Sequence, residues 1–520
     1  MQQSMIPLLS EQAGRSAFAD NGNLTHIPGI SPTNNTHVPV DKGVPGVLYA
    51  HNVIPSTYGY QAVGYVTEIA SLGAAGIFSK NYLVYGSEIV SGEPVTSNLR
   101  TYMCLVESGG TNTLYFVNTA GNWQQVVNTP SLPTTTVISV ATVNGYTYIC
   151  IPNVGFYVFN INTGTLVNRT LAPLDIAKVR GLVSSNGYLI AWENDSVAWS
   201  SAVDVEDFEP SEISGAGAGS VQEATGTIVF AIPHQIGFYI FTTSNIVSVQ
   251  YTGNESFPFE FFALAGSGGV FSEKLISRET VEGSAYAITT SGIQKIFPNR
   301  VSTELIAISD FLAGRVFEDY DENLKQFIKY SLNADMERAI EVIANRYIVI
   351  SYSRNPSGDN FTHAIVVDAL QGRIGKLKAD HKRVLEFRNI LVGTYLDNKG
   401  SLGLLKANGA IVRVDFALNN QNTSGVMICG KAQLRFNELV YLSEVHVENV
   451  NDNFSLYDLP SFDGKTLVTP VDGYEFPEDS GKPLRRYFFD NVAQSHTIVC
   501  SGGFDINTLM FYLSSHGAAN

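Results

Sequence analysis

Apolar and polar positions divide the chain into short runs separated by turn residues, and Asn186 to Pro210 sets the pattern. Tyr188 to Trp192 is apolar and aromatic, Glu193-Asn194-Asp195 is polar, and Ser196 to Ser200 is largely apolar around Trp199. Two β-rich runs across an Asn-Asp turn predict a hairpin. Asp204 to Glu209 is then acidic and closes on Pro210, which cannot continue a ladder. The unit recurs as Thr227 to Ile232, a Pro233-His234-Gln235 break, Gly237 to Thr242, a Ser244-Asn245 turn and Ile246 to Tyr251. Repeated strand–turn–strand units predict a β-propeller or a sandwich.

The same grammar runs through most of the chain. Thr113 to Asn118 and Trp123 to Val127 flank Gly121, and Tyr146 to Pro152 and Gly155 to Asn160 follow an Asn144-Gly145 turn. Ala285 to Thr289 and Ile293 to Phe297 flank Ser291-Gly292, and Leu402 to Leu405 and Ile411 to Val414 flank Asn408-Gly409. Tyr347 to Tyr352 and Ala364 to Asp368 enclose an Asn-Pro-Ser-Gly-Asp loop. Modules start roughly 40–60 residues apart, near or above the length of a propeller blade, without a WD or kelch signature. Between Phe317 and Arg346 the apolar positions Leu324, Phe327, Ile328, Leu332, Met336, Ala339, Ile340 and Ile343 follow a 3.6 period, which predicts one or two helices. Longer alternating strands follow Gly425.

The expected class is all-β: an extended N-terminal arm over 1–45, an irregular propeller-like body over 46–425 with a short helical insertion at about 317–346, and a C-terminal β-sandwich-like platform over 426–520. The first residues, Met1 to Ser10, do not read as a signal peptide. No apolar run approaches the roughly 20 residues of a membrane span, so no membrane insertion is expected.

Composition narrows the chemistry. With 44% hydrophobic and 15% charged residues the chain is globular. Its net charge of −16 argues against gripping nucleic acid through phosphates. The cysteines Cys104, Cys150, Cys429 and Cys500 form no Cys-x-x-Cys pair; Cys150, Cys429 and Cys500 lie in apolar, strand-like runs that fit buried free thiols, the setting of Cys104 is less clear, and a reducing compartment is expected. The nine histidines show no metal-binding spacing, and no Gly-x-Ser-x-Gly elbow is present. Gly215 to Gly219 and Gly266 to Gly269 lack the strand, helix and Gly-Lys-Ser/Thr of a phosphate loop. Ser461 to Thr466 is a broken Asp-box, one residue short. No catalytic residue, cofactor site or metal site is therefore expected.

Two charged segments are candidates for contact with partners. Asp204, Glu206, Asp207 and Glu209 could form an acid/base cluster, but adjacent carboxylates on one loop seldom span a sugar. A solvated turn is the plainer reading. Gly372 to Arg388 runs against the overall charge, with Arg373, Lys376, Lys378, Lys382 and Arg383 against Asp380 and Glu386. It is either a solvated strand and loop or a docking patch for an acidic partner or phosphates.

The runs Tyr188 to Trp192 and Val197 to Ser200, with the Asp-Val-x-Asp-Phe-x-Pro tail at Asp204 to Pro210, resemble the tail nozzle proteins of short-tailed bacteriophages. These are also called tail hub or packaged-DNA stabilisation proteins. Phe238 to Gly253 is similar to that family's next strand pair, Asn52-Val-Ile-Pro with Gly59-Tyr60 to its first propeller strands, and Ser501 to Met510 to its last strand. The resemblance implies a non-enzymatic propeller with a β platform in a ring, hexameric in such nozzles, under the portal–adaptor complex and beside tail fibre or tailspike proteins. Such a ring is assembled in the bacterial cytoplasm, sits in the virion tail, retains packaged DNA and conducts double-stranded DNA at ejection. A lumen that releases DNA should be acidic or neutral. That makes Asp204, Glu206, Asp207 and Glu209, and Glu475 to Asp479, the candidate lumen-facing loops. The alternatives are a glycan-active propeller, such as a depolymerase or sialidase-like enzyme, and a carbohydrate-binding propeller using exposed aromatics such as Trp123.

Overall fold

The computed structural model describes most of residues 47–518. Outside the described residues lie 1–46, 57–59, 73–76, 278–282, 306–316, 322–325, 331–337, 354–359, 370–372, 387–401, 416–424, 430–437, 461–469, 477–483 and 519–520, with shorter stretches between. The expected arm over 1–45, the Asn-Pro-Ser-Gly-Asp loop and the broken Asp-box fall outside the described residues.

Among the described residues, seven antiparallel sheets of the body follow one another along the chain, and each is a blade. Blade 1 is Ile77–Val90, Glu93–Ser108, Thr111–Val117 and Trp123–Gln125, and blade 2 is Ser139–Val143, Tyr146–Ile151, Gly155–Asn160 and Thr165–Arg169. Blade 3 is Gly181–Ser185, Tyr188–Trp192, Ser196–Trp199 and Gly217–Ser220, and blade 4 is Ile228–His234, Gly237–Thr242, Ile246–Tyr251 and Phe259–Ala263. Blade 5 has Ala285–Thr289, Gly292–Phe297 and Arg300–Glu304. Blade 6 is Arg338–Ile343, Tyr347–Tyr352, Phe361–Asp368 and Ile374–His381. Blade 7 takes Arg383–Glu386, Leu402–Leu405 and Ile411–Asp415 from one end of the body and Gly64–Ile69 from the other. The body is a β-propeller closed by a strand from its own beginning.

Hydrophobic packing shows the ring directly. Each pair of neighbouring blades shares one buried cluster: blades 1 and 2 around Phe116 and Phe159, 2 and 3 around Tyr148 and Leu189, and 3 and 4 around Trp192 and Ile240. The series continues with Phe241 and Ala287, Tyr286 and Ile350, and Val349 and Leu404. It returns to the start through Leu405 and Tyr102 between blades 7 and 1. Alternate residues of one strand feed two clusters, as period-2 geometry requires. In blade 3, Leu189 and Ala191 face blade 2, whereas Tyr188, Ile190 and Trp192 face blade 4. A blade covered on both faces reads as a continuous apolar run, hence the unbroken burial of Tyr188–Trp192.

Turn chemistry fixes the inner hairpins. Asn144-Gly145 and Asn186-Gly187 have φ of 50° and 82°, and 52° and 86°, the two positive values of a type I′ turn.

Two further sheets form the platform. Val47–His51, Gly425–Cys429, His496–Gly502 and Ser455–Pro460 make one sheet, and Asp472–Phe476, Leu484–Ala493, Glu438–Glu448 and Leu509–Ala518 another. They share a core that includes Met427, Leu456, Ile498, Leu442, Val445 and Phe489. Blade 6 does not end at Ile374–His381. It continues through Val53–Pro55, Tyr60–Ala62 and Asp505–Ile506 into a seven-stranded sheet. Val53, Tyr60 and Ile506 sit in the platform core, so the platform is hydrogen-bonded to the propeller.

Three expectations are corrected. Among the described residues of the helical insertion expected at about 317–346 there are strands instead: Phe317–Asp321 pairs with Gln326–Tyr330, and Arg338–Ile343 is the inner strand of blade 6. The helical period came from an inner strand buried on both faces, whose run Ala339-Ile340-Glu341-Val342-Ile343 is wholly buried. Leu324, Leu332 and Met336 lie outside the described residues. The Asn52-Val-Ile-Pro and Tyr60 strands do not open the propeller but extend blade 6 toward the platform. Pro233 does not end its strand either, which runs on to His234.

Candidate functional site

The inner strands of blades 2, 3, 4, 6 and 7 surround a cavity of about 410 Å³ on the propeller axis. Its wall is mostly aliphatic, with Val140, Leu182, Val183, Ile232 and Val342 among its residues. The polar residues are Ser139, Thr142, Ser184, Glu341, Arg383 and Glu386, and all three charged ones come from blades 6 and 7.

Polar contacts stitch the inner strands to one another. Arg383 donates from Nη2 and Nε to Oε1 of Glu341, at 2.6 Å and 3.1 Å. Both side chains are buried, 6% and 10% exposed. The pair joins blade 7 to blade 6, and neither charge can be left alone in such a site. Between blades 2 and 3, the Leu182 amide donates to Ser139 Oγ at 2.6 Å. Between blades 1 and 7, the Tyr102 hydroxyl donates to the Glu386 carbonyl at 2.6 Å and Trp123 Nε1 to the Gly409 carbonyl at 2.8 Å. These contacts tie blade 6 to 7, 2 to 3 and 1 to 7 around a small chamber. Chemically it offers one ion pair and one further carboxylate in an aliphatic wall.

The basic segment divides. Lys376 is fully buried because its strand is covered by Val53–Pro55, with Val53 opposite Lys376. Arg373 is buried, and its Nη1 donates to the Ser56 carbonyl at 3.4 Å. Arg383 belongs to the axial ion pair. These three do not form an exposed docking face, a correction that follows from the platform strand capping blade 6. Lys378 is exposed and Lys382 half-buried. Beside them His381 is buried with Nε2 2.8 Å from Ser351 Oγ and Nδ1 2.6 Å from the Ala379 carbonyl. Burial lowers its pKa to about 4, so it is neutral.

The acidic loop connects the third and fourth strands of blade 3, the pair farthest from that axis. Val205 and Phe208 are buried in the cluster between blades 2 and 3, and the Phe208 amide donates to the Ala172 carbonyl at 3.1 Å. Asp204 Oδ1 accepts from the Glu206 amide and Asp207 Oδ1 from the Glu209 amide, both at 3.0 Å. Glu206 Oε1 accepts from the Tyr148 hydroxyl at 3.0 Å and lies 3.4 Å from Arg169 Nε. Burial, followed by the Glu206 carboxylate, pushes the Tyr148 hydroxyl pKa up. The Asp-Val-x-Asp-Phe-x-Pro tail is therefore an anchored loop, with turn-capping aspartates and two apolar plugs. Of the second acidic loop, Glu475 lies in Asp472–Phe476 and 477–479 fall outside the described residues.

Trp123 packs beside the cluster between blades 7 and 1. Its N–H is committed to the Gly409 carbonyl, and its side chain is half-buried, not exposed. Gly217–Ser220 is the outer strand of blade 3, where Gly217 leaves room for the Trp199 ring. Cys104, Cys150 and Cys500 are buried and outside any disulfide, and burial pushes the first two pKa values up.

Sequence reasoning missed Glu341, paired with Arg383 across 42 positions of the chain. The available signal was a lone carboxylate inside Ala339-Ile-Glu-Val-Ile343, since an unpartnered charge is not tolerated in a buried strand.

No protein-family model and no curated protein matches this chain. Among solved structures it is similar to YCF48 bound to a D1 peptide, at 10% identity over 69% of this chain and 97% of that one, with a TM-score of 0.36. It is likewise similar to the WD40 β-propeller domain of Doa1, at 8% identity over 68% and 98% with a TM-score of 0.37. YCF48 from Cyanidioschyzon merolae matches at 8% identity over 67% and 98%, with a TM-score of 0.36.

Proposed function

We propose that this chain is a structural protein of a bacteriophage tail: a nozzle or hub that forms a ring under the portal–adaptor complex, retains packaged DNA and conducts it at ejection. The resemblance of Tyr188 to Pro210 and its downstream strands motivates the reading. The observation that supports it is the seven-stranded sheet running from blade 6 through Val53–Pro55 into the platform. A body that must hold pressurised DNA needs its parts fixed to one another, and a continuous ladder does that better than a linker. The residues that carry the resemblance also have structural work here: Trp192 fills a blade interface, and Val205 and Phe208 pin a loop.

The route for DNA follows from the axis. A duplex is wider than its own roughly 12 Å major groove, and the propeller axis holds only a chamber of about 410 Å³ between stitched strands. In this reading DNA passes through a lumen between copies of the chain, and a hexameric ring supplies it. Portal–adaptor and tail fibre or tailspike proteins are the proposed neighbours, with the virion tail as the location. Cryo-electron microscopy of the native particle tests this. The expected result is a closed ring with heterologous contacts well above about 1,000 Å² each. An isolated copy touching no other copy refutes it.

The alternative reading is a propeller that binds or cleaves a glycan in the axial chamber. Glycoside cleavage needs two carboxylates flanking the sugar, and here Glu341 is committed to Arg383. Turnover of capsular or sialylated glycans would establish this reading.

A further inference from the structure

Blades 3 and 4 carry an unusual charge and an unusual exposure. Between Arg180 and Lys274 the sequence has eleven Asp and Glu residues and no Lys or Arg. Two adjacent blades thus hold most of the chain's excess negative charge of −16. Among the described residues the same sector has the most exposed aliphatic side chains, Ile213 at 98% and Val203 at 92%, with Phe257 at 74% and Ile236 at 46%. Successive strands of a meander alternate in direction, so the first-to-second and third-to-fourth turns of each blade fall on one face. Val203 and Ile213 lie on the third-to-fourth turn of blade 3, Phe257 on that of blade 4 and Ile236 on the first-to-second turn of blade 4. All four belong to one face of neighbouring blades.

The turns are ordered from within. Ser201 accepts at Oγ from the Val203 amide at 3.1 Å, and Ser211 at Oγ from the Ile213 amide at 3.2 Å. The Gly215 amide donates to Ser211, and Trp199 Nε1 donates to the Gly215 carbonyl at 3.0 Å. In blade 4 the Thr252 amide donates to the Pro258 carbonyl at 2.9 Å. Apolar side chains held out on fixed turns gain nothing within the chain, and such features mark interaction sites. A pre-ordered loop also loses little entropy on docking.

We infer that this face of blades 3 and 4 docks a basic partner protein that presents apolar side chains ringed by Lys and Arg. The exposed carboxylates Asp204, Glu209 and Glu212 beside Val203 and Ile213 supply the complementary charge. Two such faces would repel one another, so a second copy meeting this one face to face is not the occupant. The inference stands independently of the phage-tail reading.

A defined probe tests it: an amphipathic helical peptide of Leu and Lys, compared with one of Leu and Glu and one of Ser and Lys. Fluorescence anisotropy with the full chain should show binding of the Leu/Lys peptide only, weaker by about tenfold on going from about 50 to about 300 mM salt. V203S/I213S should weaken it about tenfold or more, and E209Q/E212Q about threefold at low salt only. Hydrogen exchange should place the protection at 201–216 and 252–258. Unchanged circular dichroism shows that these exposed substitutions leave the fold intact. Equal binding of the Leu/Glu peptide, wild-type affinity in V203S/I213S, or protection elsewhere overturns the inference. So does self-association of the chain by sedimentation that V203S/I213S abolishes, which would make a second copy the occupant.

Discussion

Replacing Arg383 by Met tests whether the axial ion pair holds blades 6 and 7 together. Arg383 and Glu341 are 6% and 10% exposed, and a single carboxylate oxygen accepts both guanidinium contacts. R383M fills the space of the aliphatic stem and strands the Glu341 carboxylate in an aliphatic wall. Breaking one side of a buried pair destabilises by about 3–5 kcal/mol. The apolar double variant E341L/R383M removes both desolvation penalties and should return to within about 1 kcal/mol of wild type. The discrepancy between the double variant and the summed singles should therefore be several kcal/mol. Urea unfolding followed by fluorescence of Trp123, Trp192 and Trp199 reads blades 1 and 3 of the same ring. An R383M penalty below about 1 kcal/mol, or a double variant as unstable as the single, would refute the stitching role.

Two further outcomes follow from the same ring. Burial holds neutral His381 near pKa 4 while the unfolded chain titrates near 6.5, so unfolding takes up a proton as pH falls. Its stability contribution, about 3 kcal/mol, is present above pH 6.5 and lost between about 6.5 and 4; H381N should flatten that part of a stability-against-pH curve, and an unchanged curve would exclude His381 as its source. A Cβ at Gly181 would come within 2.1 Å of the Trp192 ring between blades 3 and 4, so G181A should destabilise by about 1–3 kcal/mol and alter Trp fluorescence, and wild-type stability in a thermal melt would contradict that packing.

The sequence by itself determined the strands and their turns. Asn144-Gly145 and Asn186-Gly187 specify two positive φ values, and the runs at Tyr146 to Pro152, Gly155 to Asn160 and Ala285 to Thr289 are strands within a residue or so of expectation. These features are local: a turn type and a period of two need only neighbours in the chain. Two buried thiols, Cys150 and Cys500, were legible for the same reason, since each sits in a strand-forming run. The Phe317 to Arg346 segment was misread because an inner strand covered on both faces loses its alternation, and a scatter of Ile and Ala fits either period.

Only the tertiary structure decided what long-range pairing controls. Gly64–Ile69 completes blade 7 across more than three hundred residues, and Val53–Pro55 joins blade 6 to the platform. Neither strand differs locally from its neighbours. Closure also determined the fate of the charges. Arg373, Lys376 and Arg383 read as one basic patch, yet a platform strand buries Lys376 and an axial carboxylate captures Arg383. Charge along a sequence says where a side chain begins, and burial depends on which distant strand lies over it. Burial in turn fixes whether such a charge meets solvent, a partner or a counter-charge 2.6 Å away.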